Sequence, residues 1–482
     1  MIDGLFQFDM INDLLQTRNA EQLSWKIVVS RFWTKFKRMR RTKFVHGLTF
    51  SAVMLGQCIS PSAWASDEDE SKLLPDWALQ LQENAVYRLE SIVDFYPQNP
   101  SVIANTSTSD DQPVHWWNKL SVETQADLSD SIALNIDGYM SYTSPSNEQG
   151  IFTTPKSTRE EARFIDFTTL NLTFETDNYD FLIGKTTVSQ GYGNIASPAD
   201  HFGKTNYVMP LHAIAMGVWQ LKATRYLEDD KLSVTLMPFE TATGDVAHDS
   251  RWKTPAASTR RFRSRELSEW GYLVRYEGVR DGLDFFVSGY YGPGAYTVSR
   301  TEVIGGALTL FEDSVQARSA SAGVSYTDGP LGLYGEIFVQ DTLRKKDDDF
   351  ARSMVGVTYK EVNMAHEIGL EEITGTLEFS NDSVIHPQNN SSSVAGSREN
   401  RSFHNAFLGK LELVYSDKLK GTLTGIYNME DDDRLGALEI EYKYNDDLTF
   451  NAAGAIVAGK PSSQLGRWNK NDVLSMGVKY TF

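Results

Sequence analysis

Polar and apolar side chains alternate along the last ten residues of the chain, 473–482. One face of an extended strand would carry Leu474, Met476, Val478, Tyr480 and Phe482. Successive side chains of a β-strand point to opposite faces, so the segment has one apolar and one polar side. This pattern fits the lipid-facing wall of a transmembrane β-barrel, although these ten residues also leave open the last strand of a soluble β-sandwich.

The same alternation returns along most of the chain after residue 75. A helix would instead place apolar residues three and four positions apart. Eighteen strands are predicted, at 77–95, 117–128, 131–142, 164–176, 179–189, 214–227, 231–239, 268–278, 283–292, 314–326, 331–341, 352–360, 368–380, 403–415, 418–428, 435–445, 447–458 and 472–482. Two of them, 352–360 and 368–380, alternate poorly, so a barrel of 16 strands stays open.

The connections between the predicted strands alternate in length. Tight-turn sequences such as Ser129-Asp130 and Arg280-Asp281-Gly282 follow the even-numbered strands. The connections after odd-numbered strands are mostly long: 96–116, 143–163, 190–213, 240–267, 293–313, 342–351, 381–402 and 459–471, with 429–434 as the short exception. Transmembrane barrels combine short periplasmic turns with long external loops. We therefore predict an all-β, antiparallel transmembrane barrel with both termini in the periplasm.

A closed barrel follows from the chemistry of the bilayer. Unpaired backbone polar groups are too costly in hydrocarbon, so a membrane sheet must have no free edge. A barrel of 16–18 strands leaves an aqueous lumen, and its inward positions should be polar. Lys119, Ser121 and Glu123 fit such positions in the second predicted strand. The Gly- and Pro-containing loop 190–212 either folds into this lumen or lies on the surface.

Residues 39–65 have the layout of a secretory signal. Basic residues in 40–43 precede a short apolar run, 48–56, and an A-x-A motif that ends at Ala65. The apolar run is too short to span a membrane as a helix. We predict signal cleavage between Ala65 and Ser66.

The signal divides the chain into four parts. Met39 gives a signal of ordinary size, which makes 1–38 an upstream extension, while a long signal n-region is the alternative. Segment 66–75 is a short acidic periplasmic stretch, and 76–482 forms the barrel. Cys58, the only cysteine, falls within the signal, so the mature chain forms no disulfides.

The charge balance excludes one class of partner. Without residues 1–65 the chain keeps 37 basic and 60 acidic residues, a net charge of −23. Nucleic-acid binding rests on neutralising phosphates, so nucleic acid is not expected as a partner. The mean hydropathy of −0.36 is compatible with a barrel, whose strands are apolar on one face only.

Over residues 75–482 the pattern resembles the bacterial outer-membrane porin superfamily. Locally, 180–202 (DFLIGKTTVSQGYGNIASPADHF) is similar to porin-like barrels and the alginate-export group, in which a Gly–basic pair leads into a Gly-rich loop. Here that pair is Gly184 and Lys185, and Gln190 stands where such barrels often carry tryptophan. The resemblance implies a Gram-negative outer membrane with its lipid and lipopolysaccharide. It also makes the terminal aromatic residue Phe482, with the apolar face of the last strand, an expected signal for the barrel-assembly machinery.

One basic cluster stands out in this acidic chain. With Lys185 from the preceding motif, it supplies the candidates for a pore lining or constriction: Lys185, Arg251, Lys253, Arg260, Arg261, Arg263 and Arg265. Charges of one sign in a lumen focus the field on a permeating ion. The alternative is a solvated outer loop, or one that contacts lipopolysaccharide phosphates.

The other charged groups suggest no chemistry. The runs 347–349 and 431–433 lack the ligand spacing of a calcium loop, so we interpret them as solvated acids. His201, His212 and His248 show no metal-ligand spacing, and no nucleophile motif is present. No catalytic residue, bound metal or cofactor is expected.

These expectations describe a non-enzymatic channel for passive diffusion of small hydrophilic solutes. A substrate-specific transporter of polysaccharide or of a hydrophobic compound, and a surface adhesin or receptor barrel, remain as alternatives. A homo-oligomer is compatible with the sequence.

Overall fold

The computed structural model describes residues 75–99, 112–144, 165–206, 210–239, 250–252, 258–260, 270–304, 307–343, 347–388, 394–395 and 397–482. These residues belong to the compact unit Ser66–Phe482. The fold is a closed antiparallel β-barrel.

Eighteen strands in the described residues form the barrel wall. They are β1 Val86–Phe95, β2 Val114–Ser129, β3 Ile132–Thr143, β4 Ile165–Glu175, β5 Tyr179–Thr186, β6 Val218–Leu227, β7 Asp230–Met237, β8 Gly271–Arg280, β9 Leu283–Ile304, β10 Ala307–Asp328, β11 Leu331–Thr342, β12 Asp349–Glu361, β13 Glu372–His386, β14 Asn405–Ser416, β15 Leu419–Asn428, β16 Asp433–Lys443, β17 Leu448–Ala458 and β18 Val473–Thr481. Each strand pairs antiparallel with the next. Pairing of β1 with β18, with Leu89 opposite Tyr480, closes the ring.

The count of eighteen strands is confirmed, and the choice between 16 and 18 is resolved. The two poorly alternating segments correspond to β12 and β13. The pattern of β12 is weak because apolar side chains occupy its inward face. Phe350 and Met354 on that face are 0% and 1% exposed, since loops inside the barrel cover them. Inward positions under a loop carry either apolar side chains, as here, or polar groups that bond to the loop.

The prediction of a strand from Trp77 onward is wrong at its start. A helix, α1, spans Asp76–Glu83, and β1 begins only at Val86. Strand β2 extends beyond the start of β1, which leaves its edge unpaired there. Helix α1 lies against this edge, where Gln80 Oε1 accepts a hydrogen bond of 2.8 Å from the backbone N–H of Asp127. The side chains of the helix thus complete the edge of the sheet.

The prediction of a long loop at 293–313 is also wrong, because strands occupy most of these residues. Strands β9 and β10 are 22 residues each, and their pairing continues to Ile304 opposite Ala307. The sequence between them is Gly305-Gly306, a dipeptide that favours two-residue hairpin turns. Two short strands flank this long hairpin: Ser258–Arg260 pairs parallel with β10, and Val394–Ala395 pairs with β9.

The two rims of the barrel differ. The connections after even-numbered strands define a short-turn rim, and the other connections define a long-loop rim. On the short-turn rim the connection after β12 contains a second helix, α2, Asn363–Glu367. Loops on the long-loop rim contain the paired strands Lys204–Asn206 and Ile214–Met216 and the 3-10 helices Pro210–His212, Ser397–Asn400 and Gly466–Trp468. Within the described residues, no helix has the length and apolar character needed to cross a membrane.

The two faces of the wall follow the predicted alternation. On β11, Leu333 and Ile337 are 45% and 47% exposed on the outer face, whereas Glu336 and Phe338 on the opposite face are buried. The exposed apolar side chains continue from strand to strand around the outside. This arrangement gives the barrel an outer belt for hydrocarbon and an interior for polar groups and loops.

Candidate functional site: a loop inside the barrel and the open lumen wall

The described parts of the connection between β5 and β6, residues 187–206 and 210–217, fold into the barrel; we call them the lumen loop. The backbone of the lumen loop binds two carboxylates that point into the barrel from other strands of the wall, β11 and β13. Glu336 on β11 accepts hydrogen bonds from the backbone N–H groups of Tyr192 and Gly193, the latter at 2.7 Å. Ser197 donates its hydroxyl to the same carboxylate at 2.6 Å. The lumen loop is therefore fixed to the wall.

Glu378 on β13 forms the second anchor. Its carboxylate accepts backbone N–H bonds from Asn194 at 2.7 Å, Ile195 at 3.0 Å and Ala196 at 2.9 Å. Tyr334 donates its hydroxyl to the same group at 2.8 Å. Hydrogen bonds to a charged acceptor are about twice as strong as neutral ones. Successive amides of the loop thus compensate two buried charges.

Glycine is required where the loop approaches the carboxylates. A Cβ on Gly191 would lie 2.6 Å from Oε1 of Glu336. A Cβ on Gly193 would collide with the backbone carbonyl of Ala196. The Gly-rich sequence that drew attention to this loop therefore serves close backbone packing.

Aromatic contacts hold the second half of the lumen loop. The rings of Phe202 and Tyr290 are 4.7 Å apart, edge to face, and His201 lies 4.5 Å from Phe338. Asp200 accepts a bond of 3.0 Å from the Ser189 hydroxyl, which closes the loop on itself. Burial raises the pKa of the Asp200 carboxyl. Of the two interpretations of loop 190–212, the inward fold is the one observed.

A second loop, 397–404, packs on the same side of the lumen. The Arg401 guanidinium is fully buried, bonds to the Asp382 carboxylate through Nε at 2.8 Å and lies 4.0 Å from the Phe350 ring. Arg352 donates to the backbone carbonyl of Ser402 at 2.6 Å. We call β11–β13, with these two loops on them, the covered wall.

The neighbouring strands β14–β16 form what we call the open wall. Lys420 and Lys410 lie 2.6 and 3.2 Å from the Glu412 carboxylate. Glu439, one strand further, projects an exposed carboxylate from the same face as Glu412. Within the described part of the chain, no hydrogen bond or ion pair joins these four side chains to a loop. The side chains of Lys420, Lys410 and Glu412 are 45%, 29% and 21% exposed, so charges on the open wall face water.

The predicted pore residue Lys185 is buried at 1% exposure. Its ammonium nitrogen lies 2.6 Å from Oδ1 of Asp166 on β4. Gly184 before it has a φ of +139°, which only glycine adopts readily. The charge of Lys185 is compensated inside the wall and does not face open water.

Arg251 is buried to the same extent. Its Nε donates to Asn471 Oδ1 at 3.1 Å, Nη2 donates to the Gln98 carbonyl at 2.8 Å, and its guanidinium lies 3.9 Å from the Tyr96 ring. These partners lie in two other loops of the long-loop rim, the connection after β1 and the connection after β17. Arg251 therefore joins loops together in this structure.

The other basic candidates have no described side chains. Arg260 ends the short strand on β10, with its backbone opposite Glu312. Four basic candidates and the two cleavage-site residues lie outside the described residues: Lys253, Arg261, Arg263, Arg265, Ala65 and Ser66. Their predicted roles stay predictions.

The terminal residue Phe482 completes the closing strand pair. Its backbone exchanges two hydrogen bonds of 2.9 Å with Tyr87, and the two rings stack at 5.5 Å. Tyr480 stacks on Phe482 at 5.6 Å, and Met476 is 56% exposed on the outer face. Leu474 and Val478 share that face and are half-buried. Recognition of this strand by an assembly machinery stays a prediction.

The interpretation of the acidic runs as solvated is wrong for Asp347 and Asp433, whereas Asp432 is exposed as predicted. Asp347 is fully buried and accepts the Ser397 backbone N–H at 2.8 Å. Asp433 is also buried and accepts the Leu465 N–H at 2.7 Å. These carboxylates cap loop backbone, which charge runs in a sequence do not reveal. Among the described residues, no group of three potential ligands could hold a metal ion.

No family model matches the sequence, and no curated protein matches it. Solved structures are similar to the chain at low identity. OccK11 (OpdR) of Pseudomonas aeruginosa is 9% identical with a TM-score of 0.48, and covers 83% of this chain and 96% of its own. OccK8 (OprE) of the same organism is 11% identical with a TM-score of 0.47, and the match covers 83% of this chain and 98% of the OccK8 chain. A mutant of Rh. blastica porin is 8% identical with a TM-score of 0.38, and the match covers 83% of this chain and 99% of the porin chain.

Proposed function

We propose that the barrel is a passive channel of a Gram-negative outer membrane, with both termini in the periplasm. Hydrophilic solutes diffuse through it without a chemical step or a cofactor. The observation that carries this proposal is the open wall, where Glu412, Lys410, Lys420 and Glu439 present solvated charge to the lumen. Side chains that face lipid or a dry core would not remain charged there.

The lumen loop supports the proposal by leaving a restricted aqueous path. It occupies the side of the interior next to β11–β13, through its bonds to Glu336 and Glu378. Solutes then pass along the open wall, whose inward faces carry Glu412, Glu439, Glu441, Lys410 and Lys420, with Lys443 at the short-turn end of β16. With a net charge of −23 after loss of 1–65, weak cation selectivity follows, and high salt reduces it.

Single-channel recording tests the proposal. The purified full chain is placed in a planar bilayer, and conductance and reversal potential are measured across a potassium chloride gradient. We expect stepwise conductance with a reversal potential of the cation-selective sign. A barrel that inserts but carries no current would refute the channel function. Solute flux that saturates at low concentration would instead favour a substrate-specific transporter.

We also propose that the mature chain begins at Ser66 and reaches the membrane through the barrel-assembly machinery. The Ala65 motif and the terminal Phe482 support these two steps. N-terminal sequencing of outer-membrane material should return Ser66. Recovery of residues before Met39 in that material would contradict this processing.

A further inference from the structure

The connection between β12 and β13, residues 362–371, differs from the other described connections of the short-turn rim. Those are turns of a few residues, whereas this one contains helix α2, Asn363–Glu367. It exposes apolar side chains: Met364 is 65% exposed and Ile368 69%, as much as residues of the outer belt such as Val355 at 60%. In a turn surrounded by water, such exposed apolar side chains would not contribute to stability.

The segment is joined to the outer side of the wall. Tyr359 lies on the outer face of β12 with its ring 47% exposed. Its hydroxyl donates to Glu361 Oε2 at 3.2 Å, and Glu361 Oε1 accepts the backbone N–H of Met364 at 3.0 Å. The start of α2 is thereby connected to a side chain of the lipid-facing surface.

The end of the segment meets the same surface. The backbone N–H of Glu371 bonds to the Val414 carbonyl of β14 at 2.7 Å, next to Tyr415, which is 58% exposed. Tyrosines are enriched where a membrane wall meets the headgroups. The segment 362–371 thus begins and ends beside two outward-facing tyrosines, Tyr359 on β12 and Tyr415 on β14, on either side of β13.

One side of helix α2 packs against the barrel, and the other side is exposed and apolar. Ala365 is fully buried against the barrel, while Met364 and Ile368, four positions apart, share an exposed side. Apolar faces of short amphipathic segments insert at the boundary of headgroups and acyl chains. We propose that 362–371 is a membrane-interface anchor whose Met364 and Ile368 insert into the lipid leaflet at the short-turn rim. The occupant of this face is lipid.

Site-directed spin labelling tests the anchor. Nitroxide labels are placed on Met364→Cys and on Ile368→Cys in a Cys58→Ser background of the full chain. Asp417→Cys, in another turn of the same rim, is the matched control. The protein is reconstituted in phosphatidylethanolamine–phosphatidylglycerol vesicles, and accessibility to oxygen and to a nickel chelate gives each label's depth. Unchanged far-UV circular dichroism verifies folding.

We expect the labels at 364 and 368 to lie about 5 Å or more below the headgroup level, with the label at 417 in water. Equal nickel accessibility at all three positions would overturn the proposal, and would indicate a face that faces water or a protein partner. The inference rests on the barrel spanning a membrane and not on conduction. A non-conducting barrel with buried labels would refute the channel while leaving the anchor standing.

Discussion

The covered and open walls both carry inward-facing glutamates, but those on the covered wall are buried under loops and those on the open wall contact water. Glu336 and Glu378 on the covered wall are 5% and 1% exposed, and loop backbone amides compensate them. Glu412 on the open wall is compensated by two lysines that remain partly in water, and Glu439 is exposed. The first pair fixes a loop, whereas the second pair shapes the field of the lumen.

This difference shows that counting acids overstates the charge of a permeation path, which is why the expected cation selectivity is weak. A carboxylate that accepts three or four bonds from backbone amides and hydroxyls contributes less field to a permeating ion, because the oriented donor dipoles oppose its charge and the loop keeps the ion at a distance. The selectivity of this barrel should therefore follow the open wall. Substitutions of matched residues on the two walls test this difference.

The largest effect is expected from breaking the buried ion pair of the covered wall. Asp382→Asn leaves the fully buried Arg401 without its charge partner. Removing one member of a buried pair costs about 3–5 kcal/mol, so the free energy of unfolding in detergent should fall by that amount. The control, Glu412→Gln on the open wall, should cost about 1 kcal/mol or less, since Lys410 and Lys420 can turn to water. Equal losses would contradict the comparison.

The next effect concerns the anchors of the lumen loop. Glu336→Gln combined with Glu378→Gln halves the acceptor oxygens and removes both charges. We expect a loss of about 3 kcal/mol of local stability, or about a hundredfold faster amide exchange at 192–199. Hydrogen exchange with mass spectrometry measures it. Glu439→Gln is the control and should leave exchange of the loop unchanged. Unaltered protection in the double variant would show that other contacts hold the loop.

A smaller effect is expected at Gly193, where an added methyl collides with the Ala196 carbonyl. Gly193→Ala should cost about 1–3 kcal/mol by overpacking and should broaden the distribution of single-channel conductances. Gly425→Ala on the open wall is the matched control, because nothing lies within 4 Å of its added Cβ. Identical conductance in both variants would mean that the loop tolerates displacement at this point.

The smallest effect is expected from the basic loop. We expect little change in the reversal potential when four arginines are replaced together by Ser, because the open wall dominates the lumen field. These arginines are Arg260, Arg261, Arg263 and Arg265. Glu439→Gln should shift it toward anions more strongly. A large swing toward cations in the arginine variant, with lower conductance for anionic solutes, would place those arginines in the path.

The sequence was sufficient for the strands and for the membrane class, because alternation is a local property. It failed where distant segments decide a local structure. Trp77 lies in an alternating segment, yet the unpaired edge of β2 favours a helix there. Phe350 and Met354 weaken the pattern of β12 because a loop far away in sequence covers them.

The site was less predictable than the fold. Glu336 and Glu378 were missed, although each is a lone acid between apolar outward residues, a pattern that could have indicated inward anchors. Ser475 was expected to face the lumen, and it donates its hydroxyl to the buried Asp94 at 2.6 Å. Such pairs join β18 to β1, at opposite ends of the chain, so no local pattern encodes them.

Cysteine accessibility during conduction tests the central claim most directly. Glu439→Cys on the open wall and Ser380→Cys on the covered wall are compared in the Cys58→Ser background; Ser380 is 1% exposed. A bulky, water-soluble thiol reagent is added during single-channel recording. We predict a stepwise loss of current in the Glu439→Cys channel and none in the Ser380→Cys channel. Loss of current at Ser380→Cys, with none at Glu439→Cys, would contradict a path along the open wall.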